Sequence, residues 1–407
     1  MHKCVSAFAD KICRISFRSN QVSKKSLASV VLSIAIAATV ASQLPILKND
    51  TNYLARTVWL FAGVHFLLIA ERPTRTTYGN QFLILVIYLV LYCVALASLG
   101  YSHWNSIYVR VIMLPLSMYW IGLVLQKIIS VDEVLKAIAL YILATFAVSA
   151  IIVNDYIPTL SEWYDTEIYL YVSKNSISQI MASAVICMIV GYSESKFNVK
   201  ATKLVLTAAL VIAMFLVQAR AALIGLVFSW ATFLLITRKL KKALFIALPM
   251  ILLSLLINER AVDFIEQAFF IDKYKGQGFD TFSSGRIGLY KQAINMFMEA
   301  PLVGQGIYYV DNFYISITTE LGILGAAPVL WLWCKRVYLN FNNMHRDPNN
   351  KLPTIVVCLT VFYLFESILE AHPPFGPGAS TFLFWLLCGY IDADTTQPIE
   401  RHVIIYR

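Results

Sequence analysis

Two arginines lie at positions where a permanent positive charge is unexpected, in or beside apolar segments of the sequence. Arg220 lies in FLVQARAALIGLV (215–227), within an almost wholly apolar stretch that runs from Leu204 to Ile236. Arg286 follows a Ser-Ser-Gly turn and begins a segment whose apolar residues recur at helical spacing. An arginine is always charged and is costly in hydrocarbon, whereas two guanidinium groups suit a diphosphate. The pair therefore predicts an anion site; the alternatives are a helix-end anchor for Arg220 and a surface cap for Arg286.

Carboxylates and a histidine recur near the ends of the C-terminal apolar runs. Asp311 and Asn312 precede one run, Glu320 lies inside it, and Glu370 and His372 follow the next run. A carboxylate inside an apolar run must face the bundle interior, pair with a cation or be protonated. Carboxylates and imidazole groups can remove a proton from a hydroxyl. Together with the arginines, these residues predict transfer of a group from a diphosphate carrier, with the diphosphate leaving.

A second group of residues has the chemistry of a sugar contact. The loop 155–175 is acidic and aromatic, and it contains Trp163 and Tyr164. Aromatic faces stack on sugar rings, so we predict glycan binding by these two residues and by Asn312. The alternative for the aromatic residues is the belt that membrane proteins carry at the lipid–water interface.

Recognisable metal and nucleotide motifs are missing from the sequence. It has no HExxH, no P-loop and no GxGxxG, and its 7 cysteines form no CxxC pair. We therefore predict no metal and no cofactor, and we interpret the cysteines as small apolar residues.

The composition indicates the elements that must hold these residues. Of the 407 residues, 58% are hydrophobic and 14% are charged, whereas soluble proteins carry about 25% charged residues. Apolar runs long enough to cross a membrane recur along the chain, which predicts an all-α polytopic membrane protein. The net charge of +9 comes from basic clusters between these runs. This distribution is typical of membrane topology, so we expect the lipid bilayer as a partner and no nucleic acid.

We predict a single membrane domain over 1–407 with about twelve spans. The segment 1–26 is expected to be cytoplasmic or interfacial, and both termini are placed in the cytoplasm by the distribution of Lys and Arg. The longest loop, 258–311, then lies on the outer face and carries an amphipathic helix. The predicted spans are 27–47, 53–70, 81–99, 107–126, 133–154, 176–192, 201–217, 221–236, 241–257, 312–333, 352–369 and 379–391.

Several short motifs resemble one family of membrane enzymes. QARAAL (218–223), SSGRIGLY (283–290), PLVGQG (301–306) and DNFYISITTELGILG (311–325) resemble the O-antigen ligase/polymerase superfamily of Wzy- and WaaL-type glycosyltransferases. SKNSISQIMA (173–182) is similar to another stretch of that family. Each motif is short, but their order, spacing and expected side of the membrane agree.

The resemblance implies a metal-independent, inverting glycosyltransferase in the inner membrane of a Gram-negative bacterium. Its active site would face the periplasm and act on glycans carried by undecaprenyl diphosphate. The two arginines that the family is thought to use for the diphosphate correspond to Arg220 and Arg286. The implied partners are a lipid-linked donor, a lipid-linked acceptor and a chain-length regulator protein.

Two departures from the ligase pattern favour a polymerase of the Wzy type. The ligases have a histidine directly before the asparagine that corresponds to Asn312, and this chain has Asp311 there. The long insertion that ligases tend to carry before this motif is also missing. The general base remains open among Asp311, Glu370 and His372, with Asp311 ranked first and Glu320 as a helper. A ligase acting on lipid A–core and, more remotely, a polysaccharide transporter or flippase are the alternative functions.

Overall fold

The fold was analysed in a computed structural model. It describes residues 25–44, 47, 51–70, 75–101, 107–156, 174–191, 197–217, 219–239, 286–306, 309–346, 350–376 and 378–395. Within these ranges all regular structure is helical, as the sequence predicts. The predicted glycan-binding residues Trp163 and Tyr164, the N-terminal segment 1–24 and most of the loop 258–311 lie outside the described residues.

The helices follow the predicted order along the chain. Their bounds are α1 Lys25–Ala41, α2 Thr51–Ile69, α3 Thr77–Ser98, α4 Ile107–Leu125, α5 Val131–Tyr156, α6 Lys174–Gly191, α7 Phe197–Leu216, α8 Arg220–Ile236, α9 Arg286–Glu299, α10 Phe313–Arg346, α11 Lys351–Leu369 and α12 Gly378–Thr395.

Length and apolar composition qualify four of the described helices as membrane spans by themselves: α3, α5, α10 and α11. Shorter apolar stretches form α1, α2, α4, α6, α8 and α12. Every predicted span but one coincides with a helix, and the exception, 241–257, lies outside the described residues. The predicted break between the seventh and eighth spans is also present, because α7 ends at Leu216 and α8 begins at Arg220.

The core is built around α12, nearly all of whose side chains are buried. It crosses α4 where Gly122 and Gly389 meet, and a Cβ atom on Gly389 would lie 1.9 Å from the carbonyl oxygen of Tyr119. Glycine at both positions lets the two backbones approach closely, which is how membrane helices gain packing energy without a hydrophobic effect between them. Trp385 of α12 then stacks on Phe375, whose ring centroid is 5.3 Å away.

Helix α10 differs from the prediction in length and in shape. The expected end was residue 333, but the helix continues to Arg346. The additional turns contain no glycine or proline, and their buried face carries Arg336, Asn340 and Asn343 at helical spacing. Because the buried face of these turns is polar, the apolar pattern ended at residue 333 and the prediction stopped there.

The helical conformation of α10 is interrupted at Gly322, which has φ 64° and ψ −175°. Four backbone hydrogen bonds join the interruption to the segment 301–306; written donor first, they are Gln305 to Thr319, Gly306 to Glu320, Ile323 to Pro301 and Leu324 to Leu302. Backbone at membrane depth can leave the helical form only where the protein satisfies its polar groups. The docked segment 301–306 satisfies them here, and it fixes the preceding helix α9 to α10.

Helix α9 begins at Arg286, as predicted, but its buried face differs from the predicted one. The apolar residues at helical spacing after Arg286 include Ile294 and Met298, which an amphipathic helix would turn toward the bundle; they are 51% and 70% exposed, whereas Ala293 is fully buried. The side chain of Thr319 donates a hydrogen bond to the carbonyl of Ala293, with 3.3 Å between the two oxygens. This contact needs a small residue at the point of closest approach, so the helix turns its alanine toward α10.

A buried ion pair fastens the C-terminal half of α10 to α12. The guanidinium of Arg336 contacts both carboxylate oxygens of Asp392, at 2.6 and 3.0 Å. Tyr119 of α4 and Asn343 of α10 donate to the same carboxylate, at 2.6 and 3.0 Å. The ring of Tyr78 lies 4.7 Å from the guanidinium carbon of Arg336. These contacts join α3, α4, α10 and α12 around one buried pair of charges.

Candidate functional site

Arg286 and Asp311, two of the predicted site residues, form an ion pair. The distance from Arg286 Nη2 to Asp311 Oδ2 is 3.1 Å, and each side chain is 28% exposed. Arg286 is the first residue of α9, and Asp311 lies two residues before α10. The docked segment 301–306 brings these two chain positions together, so the pair is held by backbone structure on both sides.

Two tyrosines surround this ion pair. The hydroxyl of Tyr290 donates to the carbonyl of Asp311 at 2.8 Å. Tyr309 also interacts with the Asp311 carboxylate. Partial burial, followed by the negative charge of Asp311, raises the pKa of Tyr309, whose side chain is still 54% exposed. Partial burial also raises the pKa of Tyr290, although Arg286 opposes this effect. Both hydroxyls therefore stay protonated and can donate hydrogen bonds to an oxygen-rich ligand.

Asn312 has a structural role at the start of α10. Its Oδ1 accepts from the N–H of Ile315 at 3.0 Å, which caps the helix. Its Nδ2 donates to the carbonyl of Ile368 at 3.0 Å, which ties this end of α10 to the end of α11. The glycan contact proposed for Asn312 stays a prediction.

His372 lies beyond the end of α11, beside the same cluster. Its ring centroid is 5.9 Å from that of Tyr309. Burial lowers the pKa of His372, and the nearby carboxylate of Asp311 partly opposes this effect. The imidazole is therefore neutral near pH 7 and has a nitrogen that can accept a proton.

Glu370 belongs to a line of polar contacts between α6 and α11. Asn175 Nδ2 donates to Glu370 Oε2 at 2.9 Å, and Gln179 Nε2 donates to Glu366 Oε1 at 3.1 Å. One turn deeper, the hydroxyls of Ser183 and Tyr363 are 3.3 Å apart. These pairs form a polar seam that leads from the site into the bundle.

Glu366 lies one turn from Glu370 in this seam, and it is not among the predicted site residues. Its side chain is 1% exposed, and its Oε2 has no hydrogen-bond partner among the described residues. Arg286 exerts an electrostatic effect on it, so it lies within reach of the site. A buried carboxyl at membrane depth is a functional candidate by default. The signal that could have found it is the four-residue spacing of Asn175, Gln179 and Ser183 on an apolar helix.

The register between α8 and α11 locates Arg220. A Cβ atom on Gly225 of α8 would lie 2.8 Å from the ring of Phe362. Ser229 Oγ, one turn along α8, donates to the carbonyl of Cys358 at 2.9 Å. The residue numbers rise in α8 as they fall in α11, so the two helices run antiparallel in a fixed register.

Extending that register toward the start of α8 brings Arg220 level with Ser367. This level lies between Glu366 and Glu370, at the end of the bundle where Arg286 is found. The two predicted arginines therefore belong to one end of the bundle. α8 supplies one of them and α9 supplies the other.

Glu320, in contrast, lies deeper than the other predicted residues. It is buried in α10 next to the interruption at Gly322, and its carbonyl accepts from the N–H of Gly306 at 3.1 Å. Its carboxyl group acts electrostatically on Cys93 of α3. The described contacts bring Arg286, Asp311, Asn312, Glu370 and His372 together and leave Glu320 beneath them.

The described helices form a bundle with cations and carboxyl groups at one end, which is consistent with a polytopic membrane protein. Residues 205–330 match the model of a family described as O-antigen ligase, and this stretch contains Arg220, Arg286, Asp311 and Glu320. Over these residues the match supports the resemblance to the O-antigen ligase/polymerase superfamily, and it fits a multi-pass bacterial membrane protein of glycosyltransferase type. No curated protein matches the chain.

Proposed function

We propose that the protein is a surface polysaccharide polymerase. It transfers a glycan from undecaprenyl diphosphate onto a second lipid-linked repeat unit at the periplasmic face of the inner membrane. The observation that carries this proposal is the ion pair of Arg286 with Asp311, at the end of the bundle to which the register of α8 assigns Arg220. The superfamily match and the apolar helices support a lipid-linked substrate.

In the proposed reaction the two arginines bind the donor diphosphate and stabilise its growing charge. A hydroxyl oxygen of the acceptor attacks the anomeric carbon of the donor sugar. The bond from that carbon to the diphosphate oxygen breaks, and undecaprenyl diphosphate leaves with the electron pair. The attack comes from the face opposite the diphosphate, so the anomeric configuration is inverted. Neither metal nor cofactor takes part.

Asp311 is the proposed general base, and it receives the proton of the acceptor hydroxyl. Without substrate, Asp311 is paired with Arg286 at 3.1 Å. A diphosphate that takes over the guanidinium of Arg286 releases the carboxylate beside the place where the acceptor must bind. Binding of the donor therefore frees the base. Neutral His372 is the second candidate for the same step.

The test is a gel of surface polysaccharide from a deletion strain that expresses wild type, Arg220→Ala or Arg286→Ala at matched protein levels. The proposal requires that wild type gives a ladder of bands that differ by one repeat. Both variants should give only core that carries a single repeat. A chain-length regulator protein is an expected partner in the same cells, so the strain must retain its own. An unchanged ladder in both variants would contradict the role of the arginines.

The ligase is the second candidate, and the description of the matching family favours it. A ligase would join finished polymer to lipid A–core. Loss of its activity would leave lipid-linked polymer in the membrane and uncapped core on the surface. Extraction of the lipid-linked fraction from the same strains separates the two functions, because a defective polymerase leaves only single lipid-linked repeats.

A further inference from the structure

Two lysines line an apolar groove at the end of the bundle opposite the candidate site, and a third lysine lies close to them. Lys200 and Lys203 lie in the first two turns of α7, and Lys351 begins α11. Lys200 and Lys351 both act electrostatically on Lys203, so each of their ammonium groups repels that of Lys203. Lys203 Nζ also donates to the carbonyl of Ile189 at 3.1 Å, which holds it at this place.

The groove runs between α6, α7 and α8 and has a volume of about 620 Å³. Ordinary ligand pockets have volumes of roughly 300–1,000 Å³. Apart from the lysines, its wall is mostly apolar and includes Leu204, Val211, Leu226 and Trp230. At membrane depth such a groove is filled by hydrocarbon, because its walls offer water few hydrogen bonds.

The charge around the mouth of the groove is positive. Among the described residues, the lining of the groove contains Lys200 and Lys203 and no carboxylate, and Lys351 adds a third positive charge beside them. An anionic group with an attached hydrocarbon chain is the chemistry that complements both features.

We propose that this groove binds an anionic phospholipid, with its phosphate among Lys200, Lys203 and Lys351 and an acyl chain along α7 and α8. Basic pockets between transmembrane helices are a recurrent way of holding anionic headgroups. The bound lipid packs against α8, whose first residue is Arg220, and supports the α7–α8 hairpin from the end opposite the site. The lipid site does not depend on the proposed polymerase activity.

The experiment measures which lipids stay bound to the purified full chain. Detergent-solubilised protein is incubated with phosphatidylglycerol, phosphatidylcholine or polyprenyl phosphate, washed, and examined by native mass spectrometry. The test variant is Lys200→Gln/Lys203→Gln/Lys351→Gln. The matched control, Lys25→Gln/Lys127→Gln/Lys239→Gln, removes the same charge from exposed lysines outside the groove.

Wild type and control should retain more phosphatidylglycerol than phosphatidylcholine. The groove variant should retain at least about tenfold less phosphatidylglycerol than wild type. The variant in which the same three lysines become arginine keeps the charge and should behave like wild type, which excludes a folding defect. Leu204→Trp, at a largely exposed wall position, should also reduce retention while the lysines stay in place.

Three results would overturn the proposal. The first is equal retention of phosphatidylglycerol by the groove variant and the control. The second is retention of phosphatidylcholine by wild type at the same level as phosphatidylglycerol. The third is lysine-dependent binding of polyprenyl phosphate in preference to phosphatidylglycerol, which would assign the groove to a substrate lipid.

Discussion

At the scale of single residues, the proposed function gives the ion pair of Arg286 and Asp311 the task of linking donor binding to activation of the acceptor. An arginine presents a planar fork to a diphosphate, whereas a lysine presents a single ammonium group. Arg286→Lys keeps the charge beside Asp311 but loses the fork. We expect glycan transfer by this variant to fall about tenfold or more, measured with labelled lipid-linked donor at matched protein levels.

Lys291 supplies the control for this prediction. It lies on the same helix, α9, and is exposed. Lys291→Ala removes a positive charge close to Arg286 without touching the pair, so its transfer rate should stay near that of wild type. Equal losses in the two variants, or full activity in Arg286→Lys, would contradict the role given to the guanidinium.

His372 leads to a prediction about pH. Its pKa is lowered by burial, so the imidazole becomes charged only as the pH falls below its ordinary value of about 6.5. A positive charge there would compete with Arg286 for Asp311, and the transfer rate should fall on the acid side. His372→Asn should remove this acid limb in a pH–rate profile and retain most of the rate at pH 7.5.

Asp311→Asn is the companion variant. It should lose about a hundredfold or more in rate across the whole pH range, as expected for removal of a general base. The reverse result, a large loss in His372→Asn and a small one in Asp311→Asn, would assign the base to His372.

At the scale of elements, the interrupted helix α10 determines whether the site forms. A Cβ atom on Gly322 would lie 2.4 Å from the carbonyl oxygen of Leu302, and Gly322 has a positive φ of 64°. Gly322→Ala must therefore separate α10 from the segment 301–306. We expect a loss of stability above the roughly 1–3 kcal/mol of backbone strain alone, together with loss of glycan transfer.

Gly100 provides the comparison for this substitution. Its φ is also positive, at 87°, but a Cβ atom there would meet nothing within 4 Å. Gly100→Ala carries the strain without the collision, so its unfolding midpoint in detergent should fall less. Equal midpoints for the two variants would mean that the docked segment does not hold α9 on α10.

The elements also explain what could and could not be predicted from sequence. The apolar runs predicted nearly every described helix, because the thickness of the hydrocarbon core of the bilayer sets the length of a membrane span. They failed for the C-terminal half of α10, where Arg336 is completely buried. The charge of Arg336 is neutralised by Asp392, 56 residues further along the chain, and no local pattern reveals such a partner.

The site itself was predicted unevenly for a similar reason. Arg286 and Asp311 could be identified from the sequence, because each lies at or near the start of a predicted helix. The polar seam between α6 and α11 was missed, since Gln179 and Glu366 have meaning only as a pair. Glu320 was grouped with the outer residues because depth along one helix does not reveal which neighbour a side chain faces.

At the scale of the whole molecule, the buried pair Arg336–Asp392 should contribute strongly to folding. Arg336→Met leaves the carboxylate of Asp392 buried without its cation, which typically costs about 3–5 kcal/mol. The double variant Arg336→Met/Asp392→Leu removes both charges and should recover most of that loss. Thermal unfolding of the detergent-solubilised chains measures both effects, and a double variant as unstable as the single one would contradict this explanation.

The central claim is that one protein joins two lipid-linked repeats through a diphosphate site built from Arg220 and Arg286. The most direct measurement reconstitutes the purified chain with labelled undecaprenyl-diphosphate-linked repeat units alone, and then with lipid A–core added. The account predicts lipid-linked products of two or more repeats without lipid A–core, and none with Arg286→Ala. Product that forms only when lipid A–core is present would contradict the polymerase and identify a ligase.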